Sequence, residues 1–181
     1  MRTIKRRKEE HKTDYGKRLK LLKSGKPRIV FRRTNKYIIA QYITSEEAQD
    51  KIELGITSKI LMNYGWPEES KNSLKSIPAS YFTGLLFGKE ILNKKLKEPI
   101  IDFGMLRALH KTKVFAFLKG LIDSGLKIEC KKDAFPPKER LEGKHMKNQI
   151  PFSEIKSKIE HSKWNQEKKK NLVMKKENNL H

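Results

Sequence analysis

Apolar positions fall at alternate places in the first third of the chain and at every third or fourth place further on. The first alternating run is Arg28-Ile29-Val30-Phe31-Arg32-Arg33. A polar turn and the run Tyr37-Ile38-Ile39-Ala40-Gln41-Tyr42 follow it. Successive strand side chains point to opposite faces, so Ile29 and Phe31 face a core while Arg28, Val30 and Arg32 face the other way. Two such runs joined by Thr34-Asn35-Lys36 predict a β-hairpin, with Asn35 suited to a left-handed turn position. Ile38, Ile39 and Ala40 are consecutive, which predicts burial on both faces and a central place in the sheet. Ser45 to Asp50 reads as an acidic turn, and Lys51-Ile52-Glu53-Leu54-Gly55-Ile56-Thr57 as a third strand.

Helical spacing takes over beyond this meander. Asp14 is placed to cap a helix over residues 15–23, with Tyr15, Leu19 and Leu22 as its packing stripe and Ser24-Gly25 as its stop. Residues 58–64 predict a short helix ended by Gly65, before a polar loop over 66–75. Ser76 and Pro78 are N-terminal signals for a helix reaching about Lys95. Gly84 and Gly88 share a face of it. They suit close packing on the sheet or, alternatively, close approach of an RNA backbone. Pro99 to Gly104 predicts a fourth strand, residues 113–124 a helix ended by Gly125, and Leu126 to Cys130 a fifth strand. Strand, helix and strand with short joints predict a parallel crossover. The fold class is therefore α/β: a mixed five-stranded sheet, antiparallel at first and ending in a β-α-β crossover, with helices on both faces.

The pattern fails at both ends. Residues 1–12 lack apolar periodicity and are expected to be disordered in isolation. After Pro136-Pro137 come charged helical stretches over 138–147 and from Pro151 with Ile155 and Ile159. Beyond Trp164 the apolar residues thin out toward Lys168-Lys169-Lys170. The expected organisation is a basic arm (1–12), an α/β domain (13–130) and a charged helical extension (131–181). The extension is too short for a core of its own and should lie along the body or along a partner.

Charge gives this fold its purpose. The 181 residues hold 42 Lys+Arg against 21 Asp+Glu, a formal net charge of +21. Residues 1–36 alone carry 15 basic and 3 acidic residues, a local net of +12. Such an excess repels itself in a compact state and implies a polyanionic partner. Arginines on strands are held rigidly and can grip phosphate oxygens bidentately. An RNA-binding protein is the reading that follows, with Tyr15 and Tyr37 able to stack on unpaired bases or to pack at the rim.

Other chemistry is poorly supported. The single cysteine, Cys130, permits no internal disulfide and fits a reducing compartment. The basic start has no apolar segment behind it, unlike a secretory signal. No apolar run approaches a membrane span. The five histidines show no zinc spacing, and no nucleophile elbow or phosphate-loop glycine pattern occurs. A metal-dependent nuclease of similar fold would need Asp102, Asp123 and Glu90 to cluster. A general nucleic-acid-binding module, for DNA as well as RNA, is the other alternative. No cofactor is expected.

Several segments together resemble a known family. They are Lys12-Thr13-Asp14-Tyr15, the basic run Lys17 to Arg28, Asn35-Lys36-Tyr37-Ile38-Ile39-Ala40-Gln41, Tyr64-Gly65-Trp66, Ala79 to Leu86, Ile101-Asp102-Phe103-Gly104 and Val114 to Gly120. In this order they resemble the large-subunit ribosomal protein that binds 5S ribosomal RNA, the L-eighteen family, in its archaeal-type form. Glu139 to His145 resembles that form's extension. The resemblance implies a three-layer α/β/α fold, no catalysis, and a cytoplasmic place in the ribosome. It also implies that 5S rRNA is bridged to the large-subunit rRNA in the central protuberance, beside neighbouring ribosomal proteins. Carried over residue by residue, it implies RNA contacts at Arg6, Arg7, Lys8 and Lys12 of the arm. Tyr15, Lys17, Arg18 and Lys20 follow, then Arg28, Arg32, Arg33, Asn35 and Lys36 of the hairpin. The sequence departs from the family at Phe31-Arg32-Arg33-Thr34 and in the loop Met105 to Lys113.

Overall fold

A computed structural model describes residues 5–47, 49–146 and 148–161. The run toward Lys168-Lys169-Lys170 and the first four residues of the arm lie outside the described residues. The hairpin forms as its alternation requires. β1 (Arg28–Arg33) pairs antiparallel with β2 (Ile38–Glu46), Phe31 opposite Ala40 and Ile29 opposite Tyr42. β2 pairs antiparallel with β3 (Gln49–Thr57), with a bulge at Tyr42/Ile43. The acidic stretch expected as a long turn is mostly ladder, and Glu47 at φ 47° makes the reversal. β4 (Ile100–Asp102) joins β1 in parallel, giving the order β3-β2-β1-β4.

The fifth strand is not formed: among the described residues the sheet has four strands, and residues 126–130 carry no ladder. Their alternation is real, with Leu126 buried and Ile128 and Cys130 packed on the core. The strand they would extend is only three residues long. It ends where the Asp102 carboxylate accepts the Gly104 N–H at 2.7 Å and Gly104 turns away at φ 59°. Parallel pairing does exist, but between β1 and β4.

The long helices cover one sheet face. α3 (Ile77–Asn93) starts where Ser76 accepts the Ala79 N–H, and α4 (Lys113–Asp123) ends before Gly125 at φ 106°. Phe117 of α4 meets Phe31 of β1 at 4.8 Å between ring centroids. The glycines of α3 serve this helix pair and not, as the sequence suggested, the sheet. A Cβ on Gly84 would lie 2.2 Å from the Phe117 carbonyl oxygen, and one on Gly120 would lie 2.2 Å from that of Tyr81. Backbone meets backbone there, leaving no room for RNA.

The ends of the chain fold onto this body. α1 (Arg6–Glu9) gives the arm one helical turn where disorder was expected. The Arg6–Glu10 pair and the Lys12 and Thr13 N–H bonds to the Arg7 carbonyl hold it. α2 (Tyr15–Lys23) has the expected Asp14 cap, but its stripe is rotated. Leu19 is 55% exposed, while Leu21 and Leu22 are half-buried. The rotation follows from the polar anchors Lys17 and Arg18, which reach Gly104 and Asp50. α5 (Lys138–Glu142) and α6 (Phe152–His161) complete the core with Leu141, Ile155 and Ile159, joined by Ile150 from the segment between them. Phe152 stacks on Tyr81 at 5.5 Å.

Candidate nucleic-acid interface

β1 sends Ile29 and Phe31 into the core, as the alternation demands, and turns Arg28, Val30 and Arg32 toward α2. A cleft of about 150 Å³ lies between α2 and the strand ends. Arg7, Lys12, Lys17, Arg18, Arg28 and Arg32 line it, with Asp14 and Asp102 among them. The structure thus gathers six of the candidate cations from the arm, α2 and β1 into one place.

They are not equivalent there. Arg28 was expected on display; it is 3% exposed instead. Its guanidinium donates to Asp50 at 2.7 Å and to the Ser45 hydroxyl at 3.1 Å, and lies 4.0 Å from Asp102. Sequence could not show this, because the carboxylates come from two other strands, Asp50 at the start of β3 and Asp102 at the end of β4. Arg28 is therefore corrected from a presented cation to the internal tie of the sheet. Arg18 pairs with the second oxygen of Asp50 at 2.9 Å and Arg32 with Asp102 at 3.1 Å. Both are held in a fixed direction while part of each head reaches solvent. Burial raises the Asp50 pKa, but hydrogen bonds from Ser45 and Arg18 and the charges of Arg28 and Arg18 outweigh it. The net position is below the ordinary carboxylate range.

The remaining candidates are exposed, Tyr15 excepted. Lys17 donates to the Gly104 carbonyl at 3.2 Å, and Lys8 and Lys20 face water. Arg6 and Lys12 share Glu10, so the arm is partly neutralised from within. Tyr15 is half-buried beneath Lys5, whose ammonium lies 4.6 Å from the ring centroid. Arg33, Asn35 and Lys36 form the exposed hairpin end. Asn35 does not take the left-handed turn position expected of it. The Thr34 hydroxyl closes the turn instead, accepting the Tyr37 N–H at 2.9 Å and donating to the Tyr37 carbonyl at 2.8 Å.

Sequence reasoning missed a second cationic surface. A concavity of about 580 Å³ beside the hairpin end is lined by Arg33, Arg107, Lys111, Lys113 and Arg140, together with apolar side chains. Only Arg33 had been singled out. The available signal was the recurrence of cations at 107, 111 and 113 in a loop leading into a helix.

The carboxylates proposed for metal chemistry are dispersed. Asp102 is held by arginines and caps Gly104, Asp123 accepts from Tyr81 and pairs with Lys119, and Glu90 is buried within α3. Among the described residues no group of His, Cys, Asp or Glu is placed to hold a metal ion. No helix among them is long and apolar enough to cross a membrane.

Comparison with known proteins agrees with this picture. A family model described as ribosomal large subunit proteins 60S L5 and 50S L18 matches residues 1–99. Large ribosomal subunit protein uL18 of Methanoculleus marisnigri is 42% identical over 146 residues, covering 81% of this chain and 81% of that protein. Its namesake in Korarchaeum cryptofilum is 40% identical over 141 residues, or 78% and 70% of the two chains. In Methanoregula boonei the figures are 40% over 141 residues, 78% and 79%. With the model matching over half of the sequence and these relatives matching most of it, the chain belongs to the family of ribosomal large subunit proteins 60S L5 and 50S L18.

Proposed function

We propose that this chain is a structural constituent of the large ribosomal subunit, in the cytoplasm, that makes and breaks no bond. It binds 5S rRNA, ties it to the large-subunit rRNA in the central protuberance, and meets neighbouring ribosomal proteins there. The observation that carries this reading is the convergence of the arm, α2 and β1 cations on one side of the sheet. Family membership supports the ribosomal role. A-form RNA hides its deep groove, so a rigid array of cations reads its phosphates and 2′-hydroxyls by shape. Arg18 and Arg32, held by Asp50 and Asp102, supply fixed directions; Lys17, Lys20, Arg33, Asn35 and Lys36 supply the surround. The arm, residues 1–12 with Arg6, Arg7, Lys8 and Lys12, extends to a second RNA segment. A three-layer α/β/α arrangement is supported by α2 on the arginine face and α3 with α4 on the other.

Mobility-shift titration of 5S rRNA against an unrelated hairpin RNA, at several salt concentrations, tests the reading. Binding should weaken steeply with salt while the preference for 5S rRNA persists. Equal affinity for the two RNAs at every salt would defeat it. Removing residues 1–12 should weaken engagement of the large rRNA more than that of 5S rRNA.

A further inference from the structure

We propose that the concavity beside the hairpin end holds one unpaired RNA nucleotide, its phosphate among the cations and its base against the apolar rim. This rests on the RNA-binding reading above and adds a second, differently built contact. Four separate elements deliver the cations: Arg33 ends β1, Arg107 and Lys111 lie on the loop before α4, Lys113 begins α4, and Arg140 is on α5. No carboxylate lines the concavity, and among the described residues none of these five cations makes an ion pair. Like charges brought together by folding, with nothing opposite to hold them, favour an anion arriving from outside. Burial, and then the charges of Arg33 and Lys75, lower the Lys113 pKa, as expected of a cation short of a counter-charge. The first turn of α4 has no side-chain cap; the Thr112 hydroxyl donates backward to the Leu109 carbonyl at 2.6 Å. Helix N–H groups and cations therefore favour negative charge in the same place.

Phosphate alone does not account for the rest of the lining. Met105 and Leu109 are 51% and 60% exposed, and the lining is otherwise largely apolar. A paired base is stacked inside its helix and would leave these side chains in water. An unstacked base would cover them, as single-stranded recognition commonly does. The volume, about 580 Å³, lies within the roughly 300–1,000 Å³ usual for small-ligand sites.

The test is photo-cross-linking of the full chain to a short RNA single strand carrying 4-thiouridine, with adducts mapped by mass spectrometry. Adducts should fall within residues 105–114 and disappear in the double variant Arg107→Gln, Lys113→Gln. Circular dichroism establishes that the variant is folded. A strand abasic at one position should bind about tenfold more weakly than the intact strand, the effect of one lost base contact. Adducts confined to other residues, or undiminished in the variant, overturn the site. Equal binding of intact and abasic strands overturns the nucleotide and leaves an anion site. Loss of 5S rRNA specificity with these adducts intact would count against the hairpin reading and not this one.

Discussion

Replacing Arg28 and replacing Lys36 should have opposite consequences, although both are cations of one hairpin. Arg28 is buried between Asp50 and Asp102, so Arg28→Met takes one of two arginines from each carboxylate and leaves Arg18 on Asp50 and Arg32 on Asp102. Breaking a buried pair on one side costs about 3–5 kcal/mol, and the loss here should not exceed the lower end, because Asp50 is partly solvated and each carboxylate keeps a second arginine. Thermal unfolding reads that loss; the salt dependence of RNA binding by the remaining folded protein should not change. Lys36 is exposed at the turn, so Lys36→Gln should leave stability within about 0.5 kcal/mol of the parent. It should instead lower the log–log salt slope of RNA binding by about one unit, as loss of one phosphate contact does. Asp50 adds a dependence on pH. Its folded pKa lies below the ordinary value of 3.8, so its contribution is complete above that value and is lost as pH falls through the lower one. Melting temperature should thus drop below about pH 4, and Asp50→Asn should flatten that limb while lowering stability at neutral pH.

At the scale of elements, the tightest joint is between α3 and α4. Ala is ordinarily the better helix residue by about 1 kcal/mol, so Gly120→Ala ought to help if the helices merely lay near each other. Here its Cβ would lie 2.2 Å from the Tyr81 oxygen and 2.7 Å from the Leu85 nitrogen, both backbone atoms that no rotamer change can move aside. The helices must separate, and overpacking of this kind costs about 1–3 kcal/mol. Denaturant unfolding should show a net loss for Gly120→Ala and for Gly84→Ala. Spacing revealed that Gly84 and Gly88 share a face of α3, but not which neighbour they meet. The same limit explains the missing strand. Alternation at Leu126, Ile128 and Cys130 reports one buried face, which packing on the core satisfies as well as a ladder does. The hairpin was legible from its alternation, and α2, α3 and α4 because period coincides there with a cap or stop signal: Asp14, Ser76 and Gly125. The interface was legible as charge but not as pairing. Which arginine is tied down depends on Asp50 and Asp102, and only folding brings these to β1.

For the whole molecule, the net charge of +21 makes one reagent act in opposite directions on the two states of the protein. The uncomplexed chain is compact and self-repelling, and its short-range ion pairs at Arg28 are shielded by burial. Added salt screens the long-range repulsion first, so its melting temperature should rise between about 50 and 500 mM, a range in which the Debye length falls from about 14 to 4 Å. Bound to RNA, the same protein gains stability in proportion to the logarithm of ligand concentration over Kd. That Kd worsens by orders of magnitude over the same range. The complex should therefore lose melting temperature as the uncomplexed protein gains it, until the two curves meet. Thermal scans of both across one salt series measure this. A melting temperature of the uncomplexed chain that falls with salt would mean that local ion pairs outweigh the global excess, and that the charge is balanced within the fold instead of by a partner.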